Sequence, residues 1–403
     1  MIAGWESAPI GDICDVVNGG TPKTGVPEYW GGPHRWITPA EMGKRSTPYI
    51  DQTDRTITDQ GLQNSSARPL PPYSVILSSR APIGHLVINT EPMATNQGCK
   101  GLVPRSQIDH KFLYYYLGSI VDLLNELGTG TTFKELSGGK LKEVKVPVPP
   151  IAEQRRIVAI LDEAFEGIAT AKANAEKNLQ NAREVFRIRL RSIFDAVNGL
   201  PLPEGWYETQ IKELGIVQSG AGFPLAAQGL VDGGIPFYKV SDMNIPGNER
   251  EMLYENNSIT EAARRTLGAS LFPSGSVIFP KIGGAIATNK KRIATRDCCV
   301  DNNVMGVVPR VGRVNPEFLF YFFLGHDLSE FANEAHLPSI RKTVVEDWKV
   351  SVPRSLDEQR RIASELEVLE DQVQLLERVY VAKLTALDDL KKSLLHQAFA
   401  GVL

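Results

Sequence analysis

The chain has 403 residues, a formal net charge of −3 and 42% hydrophobic residues, values typical of a globular protein with two or three domains. No run of 18 apolar residues occurs, which excludes a membrane-spanning helix. The four cysteines and six histidines lack the spacing of a disulfide framework or a metal site. We therefore expect a cytoplasmic protein without a bound metal, and the slightly acidic balance argues against a strongly basic nucleic-acid-binding module.

Short strings of the first half return in the same order in the second half. Glu153-Gln-Arg-Arg-Ile157 recurs as Glu358-Gln-Arg-Arg-Ile362 after 205 residues, and Ser74–Leu77 resembles Ser276–Phe279 after 202 residues. The offset of such matches drifts from 201 near the start to 205 near the end. Colinear matches with a slowly drifting offset indicate two diverged copies of one unit.

Each copy is predicted to contain a mixed domain and a long helix. The first part is rich in Gly and Pro and has short β-branched or aromatic runs, which are typical of strands between turns. The last part has no proline and comes directly after Pro150 or Pro353, and the residue before a proline is disfavoured in a helix. The predicted fold class is therefore α/β (α+β). The predicted segments are a mixed domain at 1–150, a helix at 151–198, a linker at 199–205, a mixed domain at 206–353 and a helix at 354–403.

Apolar residues of both predicted helices recur at alternating steps of four and three. Such sustained heptads favour two helices that pair as a coiled coil. The alternative is two amphipathic helices that each lie on their own domain. A helix of about 45 residues would extend about 68 Å, which is longer than a domain of about 150 residues is wide, so we favour the coil. The candidate coil residues are Ile157, Leu161, Ile168, Val185, Ile362, Leu366, Leu369, Val373, Leu376, Leu387, Leu390 and Leu394.

Two strings that resemble catalytic motifs lack essential residues. Leu70-Pro-Pro-Tyr73 is similar to the signature of amino-methyltransferases, but Leu70 cannot accept the hydrogen bond that holds the amino group. Ser137-Gly-Gly-Lys-Leu141 is similar to the end of a phosphate-binding loop, but Leu141 stands where Ser or Thr binds Mg²⁺. We therefore predict that the chain is not an enzyme and carries no catalytic residue.

The polar residues that recur near the predicted strand ends are of the kinds that contact DNA. Arg and Lys hold phosphates or read guanine, and Asn and Gln pair well with adenine. For each residue taken singly, the alternative is a solvated surface charge or an amide that braces a turn. The candidate DNA-binding residues are Thr38, Lys44, Arg45, Ser79, Arg80, Asn96, Gln97, Lys100, Lys239, Ser241, Lys281, Lys290, Lys291, Arg292, Asn302, Asn303, Arg341 and Lys342.

The doubled pattern of Val146-Pro-Val-Pro149 followed by Glu153–Ile157 and a heptad helix resembles the specificity subunits of type I restriction–modification systems. Supporting strings are Asn18-Gly-Gly-Thr-Pro22 and Thr95-Asn96-Gln97. The second copy departs from this pattern. We expect Lys281 to stand where Arg80 does, and Asp301-Asn302-Asn303 to replace the Asn-Gln pair.

The resemblance implies that the mixed domains are two target-recognition domains, each of which reads one half of a split sequence in double-stranded DNA. It also implies that the two helices form an antiparallel coiled coil that spaces the domains and docks two methyltransferase subunits. Those subunits would bring S-adenosylmethionine and methylate adenine at N6, so that no cofactor is expected on this chain. A translocating restriction subunit is a further candidate partner, and no membrane is expected.

Two alternatives remain open from the sequence. One is a non-catalytic coiled-coil scaffold whose β-rich domains bind peptide or saccharide. The other is the specificity chain of a related restriction–methylation system that does not translocate DNA. Sequence-specific, salt-dependent DNA binding with the cognate methyltransferase would separate the DNA-reading interpretations from the scaffold.

Overall fold

The computed structural model describes residues 5–45, 47–130, 134–194 and 202–403, and it divides into two compact units. Unit 1 comprises Met1–Glu176 with Ala382–Leu403, and unit 2 comprises Lys177–Val381. Each unit therefore holds one mixed domain, the beginning of the long helix that follows it and the far end of the other long helix. This division cuts the two long helices, whereas the predicted limits at 150 and 353 fall just before them.

The first mixed domain and the first long helix consist of short elements followed by one long one. In the described residues they are β1 (Glu6–Pro9), α1 (Ile10–Ile13), β2 (Cys14–Asn18), β3 (Trp30–Ile37), α2 (Pro39–Met42), β4 (Tyr49–Ile50), β5 (Arg55–Ile57), α3 (Asp59–Gln63), β6 (Val75–Ser79), β7 (Ile83–Asn89), β8 (Met93–Thr95), β9 (Cys99–Pro104), α4 (His110–Ser119), α5 (Val121–Leu127), α6 (Gly138–Glu143), β10 (Lys145–Val148) and α7 (Ile151–Phe194).

The second copy follows nearly the same succession, and several of its strands are shorter than their counterparts. Its described elements are β11 (Trp206–Gln210), α8 (Ile211–Leu214), β12 (Gly215–Ser219), β13 (Ile235–Tyr238), β14 (Glu251–Met252), β15 (Ser258–Ile259), α9 (Glu261–Leu267), β16 (Val277–Pro280), β17 (Arg292–Ala294), β18 (Cys299–Val300), β19 (Val304–Pro309), α10 (Pro316–Leu324), α11 (Lys342–Glu346), β20 (Lys349–Pro353) and α12 (Leu356–Phe399).

The sheets of the two units have the same strand order. Unit 1 has a five-stranded sheet of order β2-β9-β6-β7-β4, a three-stranded sheet β5-β3-β8 and the pair β1-β10. Unit 2 has β12-β19-β16-β17-β14, β15-β13-β18 and β11-β20. In each unit two of the strand pairings are parallel and the others are antiparallel. The duplication predicted from short sequence matches is therefore a duplication of a whole α+β fold, and the predicted fold class is confirmed.

The central strand of each large sheet is apolar on both faces. In β6, Val75 and Leu77 pack into one buried cluster with α4 and the start of α7, while Ile76 between them packs into a second cluster on the opposite face. Such a strand has a continuous apolar run instead of an alternating pattern because neither face meets solvent. The equivalent strand β16 behaves in the same way.

The two long helices run antiparallel within each unit. In unit 1, Lys172 Nζ lies 2.7 Å from Asp388 Oδ1. In unit 2, Arg183 Nε lies 2.9 Å from Glu377 Oε1, and further along the first helix Arg189 faces Glu365. Because the residue number falls in one helix as it rises in the other, the predicted antiparallel pairing is confirmed. α7 begins at residue 151 as predicted, and its predicted end at 198 lies among residues 195–201, which are outside the described part of the chain. α12 spans 356–399, within the predicted 354–403.

The predicted heptads have two apolar positions each, seven residues apart along each series. The seam between the helices buries mainly one of these two series. Ile157, Leu161, Ile168, Ile362, Leu366 and Val373 are buried, and Leu369, Leu387 and Leu394 are half-buried. The predicted seam residues Val185, Leu376 and Leu390 instead lie 53%, 44% and 46% exposed.

The reason for this difference is that the two series take different positions at the seam. In the first helix, Leu161, Ile168, Ala175 and Ala182 are buried at steps of seven, whereas the alternate series ends in the exposed Val185. Among the described residues, no helix has the length and apolar character that crossing a membrane requires.

Candidate nucleic-acid interface

In unit 1, several sequence candidates come together where β6 ends and β9 begins. Ser79 is the last residue of β6, and its backbone N–H donates to the Gly98 carbonyl at 2.8 Å. Arg80 follows directly, and its side chain lies against Gly98, where an added Cβ would stand 3.1 Å from Arg80 Cγ. The turn that holds Asn96 and Gln97 is therefore adjacent to Arg80, so that three of the candidate residues lie together.

The members of this turn have different roles. Asn96 Oδ1 accepts a 2.7 Å hydrogen bond from the Gly98 N–H, and its Nδ2 donates to Thr21 Oγ1 at 3.0 Å. Both ends of the amide are thus used inside the loop, so that Asn96 has the turn-bracing role that was its alternative. Gln97 is exposed, and its side chain is available to a ligand.

A carboxylate that the sequence analysis did not identify lies between two of the predicted cations. Glu135 Oε2 is 3.9 Å from Arg80 Nη1, and Glu135 Oε1 is 3.8 Å from Lys100 Nζ. The Arg80 side chain is 35% exposed, whereas that of Lys100 is only 7% exposed. The nearly buried Lys100 therefore contacts Glu135 from the interior of the unit, whereas Arg80 and Glu135 form a charged pair that is exposed to solvent.

Ser79 does not reach this surface. Its side chain is fully buried, and Oγ has no hydrogen-bond partner. This position of the strand therefore faces the interior, which corrects the prediction that Ser79 contacts DNA.

Three candidates flank α2, and one of them, Thr38, lies beside the same turn. Asn96 N donates to the Ile37 carbonyl at 2.8 Å, which places Thr38 beside it. Thr38 Oγ1 accepts from Glu41 N at 3.3 Å and so caps the N-terminus of α2. Lys44 is exposed, while Arg45 pairs with the buried Glu41 at 2.8 Å. Of these three candidates, Lys44 has the side chain most open to a phosphate.

In unit 2 the strand register changes one predicted equivalence. Val277 pairs with Val307 exactly as Val75 pairs with Leu102 in unit 1. Counting along both strands from these pairs places Lys281 at the position of Ser79. The backbone agrees, because Lys281 N donates to the carbonyl of Asn303 as Ser79 N does to that of Gly98. The prediction that Lys281 stands where Arg80 does is therefore wrong.

The same register settles the neighbouring positions. Ile282 occupies the place of Arg80, and Asp301 that of Asn96. Asp301 Oδ1 accepts from Asn303 N at 3.0 Å, as Asn96 Oδ1 does in its own turn. Burial raises the pKa of the Asp301 carboxyl above its usual value. Asn302 then corresponds to Gln97 and, like Gln97, is exposed.

Four further candidates of unit 2 lie in this turn or near it in the chain or in space: Lys239, Ser241, Lys281 and Asn303. Lys281 Nζ donates to Ser219 Oγ at 3.1 Å, and Lys239 Nζ donates to Gln228 Oε1 at 3.0 Å. Asp301 N donates to the Tyr238 carbonyl, so Lys239 lies beside the turn as Thr38 does in unit 1. Ser241, two residues further on, is exposed, and Asn303 Nδ2 is held by Asp301 at 3.2 Å.

The densest basic run of the sequence lies mostly inside unit 2. Lys291 is 1% exposed, and its Nζ donates to Asn289 Oδ1 at 2.6 Å and to the His326 carbonyl at 2.7 Å. Burial lowers the pKa of Lys291 to about 8. Arg292 is 8% exposed and donates to backbone carbonyls from within β17. Lys291 and Arg292 are therefore corrected from DNA contacts to interior residues, and Lys290 is partly exposed and contacts Asn244.

The last two candidates lie at the start of α11. Ile340 N donates to the Lys281 carbonyl at 2.9 Å, so that the next residue, Arg341, is a neighbour of the unit 2 turn. Arg341 and Lys342 are both exposed, and Lys342 Nζ lies 3.4 Å from Glu346 Oε1.

The repeated Glu-Gln-Arg-Arg-Ile string has a structural role that residue types alone did not reveal. Gln154 is fully buried, and its Nε2 donates to the carbonyls of Gln107 at 2.9 Å and Pro149 at 2.8 Å. Gln359 is equally buried and donates to the Pro353 carbonyl at 2.8 Å. In both copies this glutamine fixes the first turn of the long helix to the mixed domain that precedes it.

Comparison with known proteins decides the family. The model of the type I restriction modification DNA specificity domain matches residues 2–180 and again residues 203–382. The chain belongs to this family. The match falls twice, once on each copy, as the sequence duplication requires.

Curated relatives of this specificity chain have corresponding names. It is 30% identical over 293 residues to the type I restriction enzyme MjaIX specificity subunit of Methanocaldococcus jannaschii, covering 70% of this chain and 67% of the relative. It is 33% identical over 166 residues to the EcoR124I/EcoR124II specificity subunit of Escherichia coli, covering 40% of each chain.

Solved structures have the same fold as the specificity chain. One, from a study of complex assembly and conformational transition in a type I R-M system, matches with a TM-score of 0.82 at 18% identity over 100% of this chain and 99% of the other. The HsdS subunit of Thermoanaerobacter tengcongensis matches with a TM-score of 0.64 at 18% identity, covering 100% and 98%.

The described residues of the specificity chain hold no group of three or more His, Cys, Asp or Glu residues that could bind a metal ion. All four cysteines are buried and free. Burial raises the pKa of Cys14 and of Cys99 to about 12, and that of Cys299 to about 11. These thiols therefore remain protonated near neutral pH and behave as small apolar core residues.

Proposed function

We propose that this chain is the DNA sequence-specificity subunit of a type I restriction–modification complex, in which each mixed domain reads one half of a bipartite target. The observation that carries the proposal is the pair of equivalent turns, Asn96–Gly98 and Asp301–Asn303. Their backbone hydrogen bonds are the same, but the side chains that they present differ. Two domains that read different half-sites need the same backbone framework but different exposed side chains.

The remaining parts of the complex are proposed to come from partners. Two methyltransferase subunits would dock on this chain and bring S-adenosylmethionine, and the methylated base would be adenine. A translocating restriction subunit is a further proposed partner. We assign no catalytic step to this chain, whose role is to bind DNA and to position the methyltransferase active sites on it.

The small net charge of the chain fits this division of labour. Phosphate contacts made by Lys and Arg supply most non-specific DNA affinity, and the chain has 44 Lys and Arg against 47 Asp and Glu. We therefore expect weak DNA binding by the isolated chain and tight, selective binding once the methyltransferase subunits are added.

The test is an exchange of domains in the assembled complex. Residues 206–353 are replaced by the corresponding segment of a specificity subunit with a known target, and methylated sites are sequenced after expression with the methyltransferase. One half of the methylated sequence should change while the other half is retained. A complex that methylates no defined sequence, or in which both halves change, would contradict the proposal.

A further inference from the structure

In each unit an isolated antiparallel bridge joins a residue just after the central strand to a segment beside the turn described above. In unit 1 it joins Arg80 to Glu135, and in unit 2 it joins Ile282 to Ser339. Both bridges are antiparallel and lie just after the central strand of the large sheet. Cross-strand partners of this kind have their side chains close together, so each bridge presents two side chains as one group.

The backbone shows that the two bridges are equivalent positions. Leu136 N donates to the Ser79 carbonyl at 2.8 Å, and Ile340 N donates to the Lys281 carbonyl at 2.9 Å. Since Lys281 corresponds to Ser79, Leu136 corresponds to Ile340. The residues before them, Glu135 and Ser339, therefore correspond as well.

The chemistry of the two bridges is very different. Arg80 and Glu135 form a charged pair with 35% and 43% of their side chains exposed, and their closest charged atoms are 3.9 Å apart. This distance is longer than a hydrogen bond, so the donors of Arg80 and the acceptors of Glu135 are not consumed by each other. Ile282 and Ser339 are half-buried and carry no charge.

The charged bridge complements one base pair in particular. In the major groove a G·C pair presents the O6 and N7 acceptors of guanine beside the N4 amino donor of cytosine. Arg donates to the first group and Glu accepts from the second. An adjacent Arg and Glu thus match both bases of one G·C pair. The neutral bridge matches an A·T pair better, because an apolar side chain packs on the thymine methyl and a serine hydroxyl can donate or accept.

We propose that this bridge is a specificity-determining position in each domain, and that Arg80–Glu135 selects a G·C pair whereas Ile282–Ser339 selects an A·T pair. The proposal rests on the function proposed above and adds the residues and the class of base pair. Lys100 is a positioning residue here, since its ammonium group, 3.8 Å from Glu135, holds the carboxylate beside Arg80.

The experiment exchanges the bridges within the full chain. Arg80→Ile combined with Glu135→Ser gives unit 1 the bridge of unit 2, and Ile282→Arg combined with Ser339→Glu does the reverse. Each variant is assembled with the methyltransferase and tested on a DNA library that is randomised across the wild-type site. We expect the first variant to lose preference for G·C at one position of the first half-site by roughly 10-fold or more, and the second to gain it in the other half-site.

A single substitution provides a milder test. Glu135→Gln keeps the size of the side chain and can still accept a hydrogen bond, but it removes the charge near Arg80. The preference for G·C at that position should fall to a value between those of the wild type and the double variant, because Arg80 still donates to guanine. Thermal unfolding of each variant checks that the unit still folds.

The matched control removes another arginine–carboxylate pair of unit 1. Arg105 and Asp15 lie 2.7 Å apart at the opposite end of the β2–β9 pairing, so Arg105→Ile with Asp15→Ser should leave the preferred sequence unchanged. The proposal is overturned if the bridge variants keep the wild-type sequence preference. It is also overturned if binding falls equally for all sequences with a shallower salt dependence, which would indicate phosphate contacts. A wild-type complex without any sequence preference would instead reject the proposed function itself.

Discussion

The Oε1 atom of the buried Gln154 accepts a 2.8 Å hydrogen bond from the backbone N–H of Asp109, just as Oε1 of Gln359 accepts one from the N–H of Asn315 at 2.8 Å. In both copies one amide side chain thus joins the loop before a domain helix to the first turn of a long helix. The glutamine of the repeated string is retained between the copies at a position where its donors and its acceptor are all used.

Replacing Gln154 with Ala should destabilise unit 1 by about 2–4 kcal/mol. The change leaves the Asp109 N–H and the carbonyls of Gln107 and Pro149 without their partner, and each buried polar group left unpaired costs about 1–3 kcal/mol. Urea unfolding gives the free energy. Gln107→Ala is the control, because only the backbone carbonyl of Gln107 takes part. Equal losses in the two variants would contradict the role assigned to Gln154.

Lys291→Met should change the pH dependence of unfolding. The pKa of Lys291 is lowered by burial to about 8 from its ordinary value of 10.5. Between these values the unfolded chain binds more protons than the folded chain, so stability rises with pH in that interval. The difference in unfolding free energy between wild type and Lys291→Met should therefore change between about pH 8 and pH 10.5 and be flat below. A constant difference across this interval would show that Lys291 is not a buried cation.

Arg341→Ala should weaken DNA binding by the assembled complex about equally for all sequences. The exposed guanidinium lies next to the unit 2 turn and is placed to contact a phosphate. Loss of one phosphate contact should lower the slope of log affinity against log salt concentration by about one. Lys349→Ala serves as the control, since the Lys349 side chain pairs with Glu208 on the β11–β20 ribbon. An unchanged slope would show that Arg341 does not contact a phosphate and is an ordinary surface charge.

Ala175→Leu should destabilise the helix pair of unit 1 by about 1–3 kcal/mol. Ala175 is 1% exposed in the seam, and inserting a larger side chain into a packed site forces its neighbours apart. Ala173, two residues earlier, is exposed, so Ala173→Leu should have little effect. Thermal unfolding of both variants measures the difference. If Ala173→Leu cost as much as Ala175→Leu, the seam would lie on another face.

Much of the fold could be predicted because repeats and apolar periodicity are local signals. The matching runs Ser74–Leu77 and Ser276–Phe279 were predicted as strands, and the structure shows that they form the central strands of both large sheets. The offset of 202 in the same match makes Lys281 equivalent to Ser79, whereas the prediction paired the two cations Lys281 and Arg80. Residue type was a weaker guide than strand register.

The site was less predictable because burial and long-range proximity do not appear in a local string. Lys291 and Arg292 look like a basic patch, yet both are buried at the start of β17 and donate to backbone carbonyls. Glu135 lies 55 residues after Arg80 and meets it only through the bridge between their segments.

The division of the chain into units has a consequence for how it can be made and truncated. Unit 1 is completed by Ala382–Leu403, from which Ala398 joins its buried core, so the first copy by itself lacks part of its own interior. The missing segment has a counterpart in the first copy, because unit 2 begins at Lys177, which is 205 residues before Ala382. A chain that ended after the first long helix would thus carry both complementary pieces but could not close on itself. Two such half-chains could each supply the helix end that the other lacks. A symmetric homodimer is therefore the smallest assembly in which the apolar surface of a single copy becomes buried.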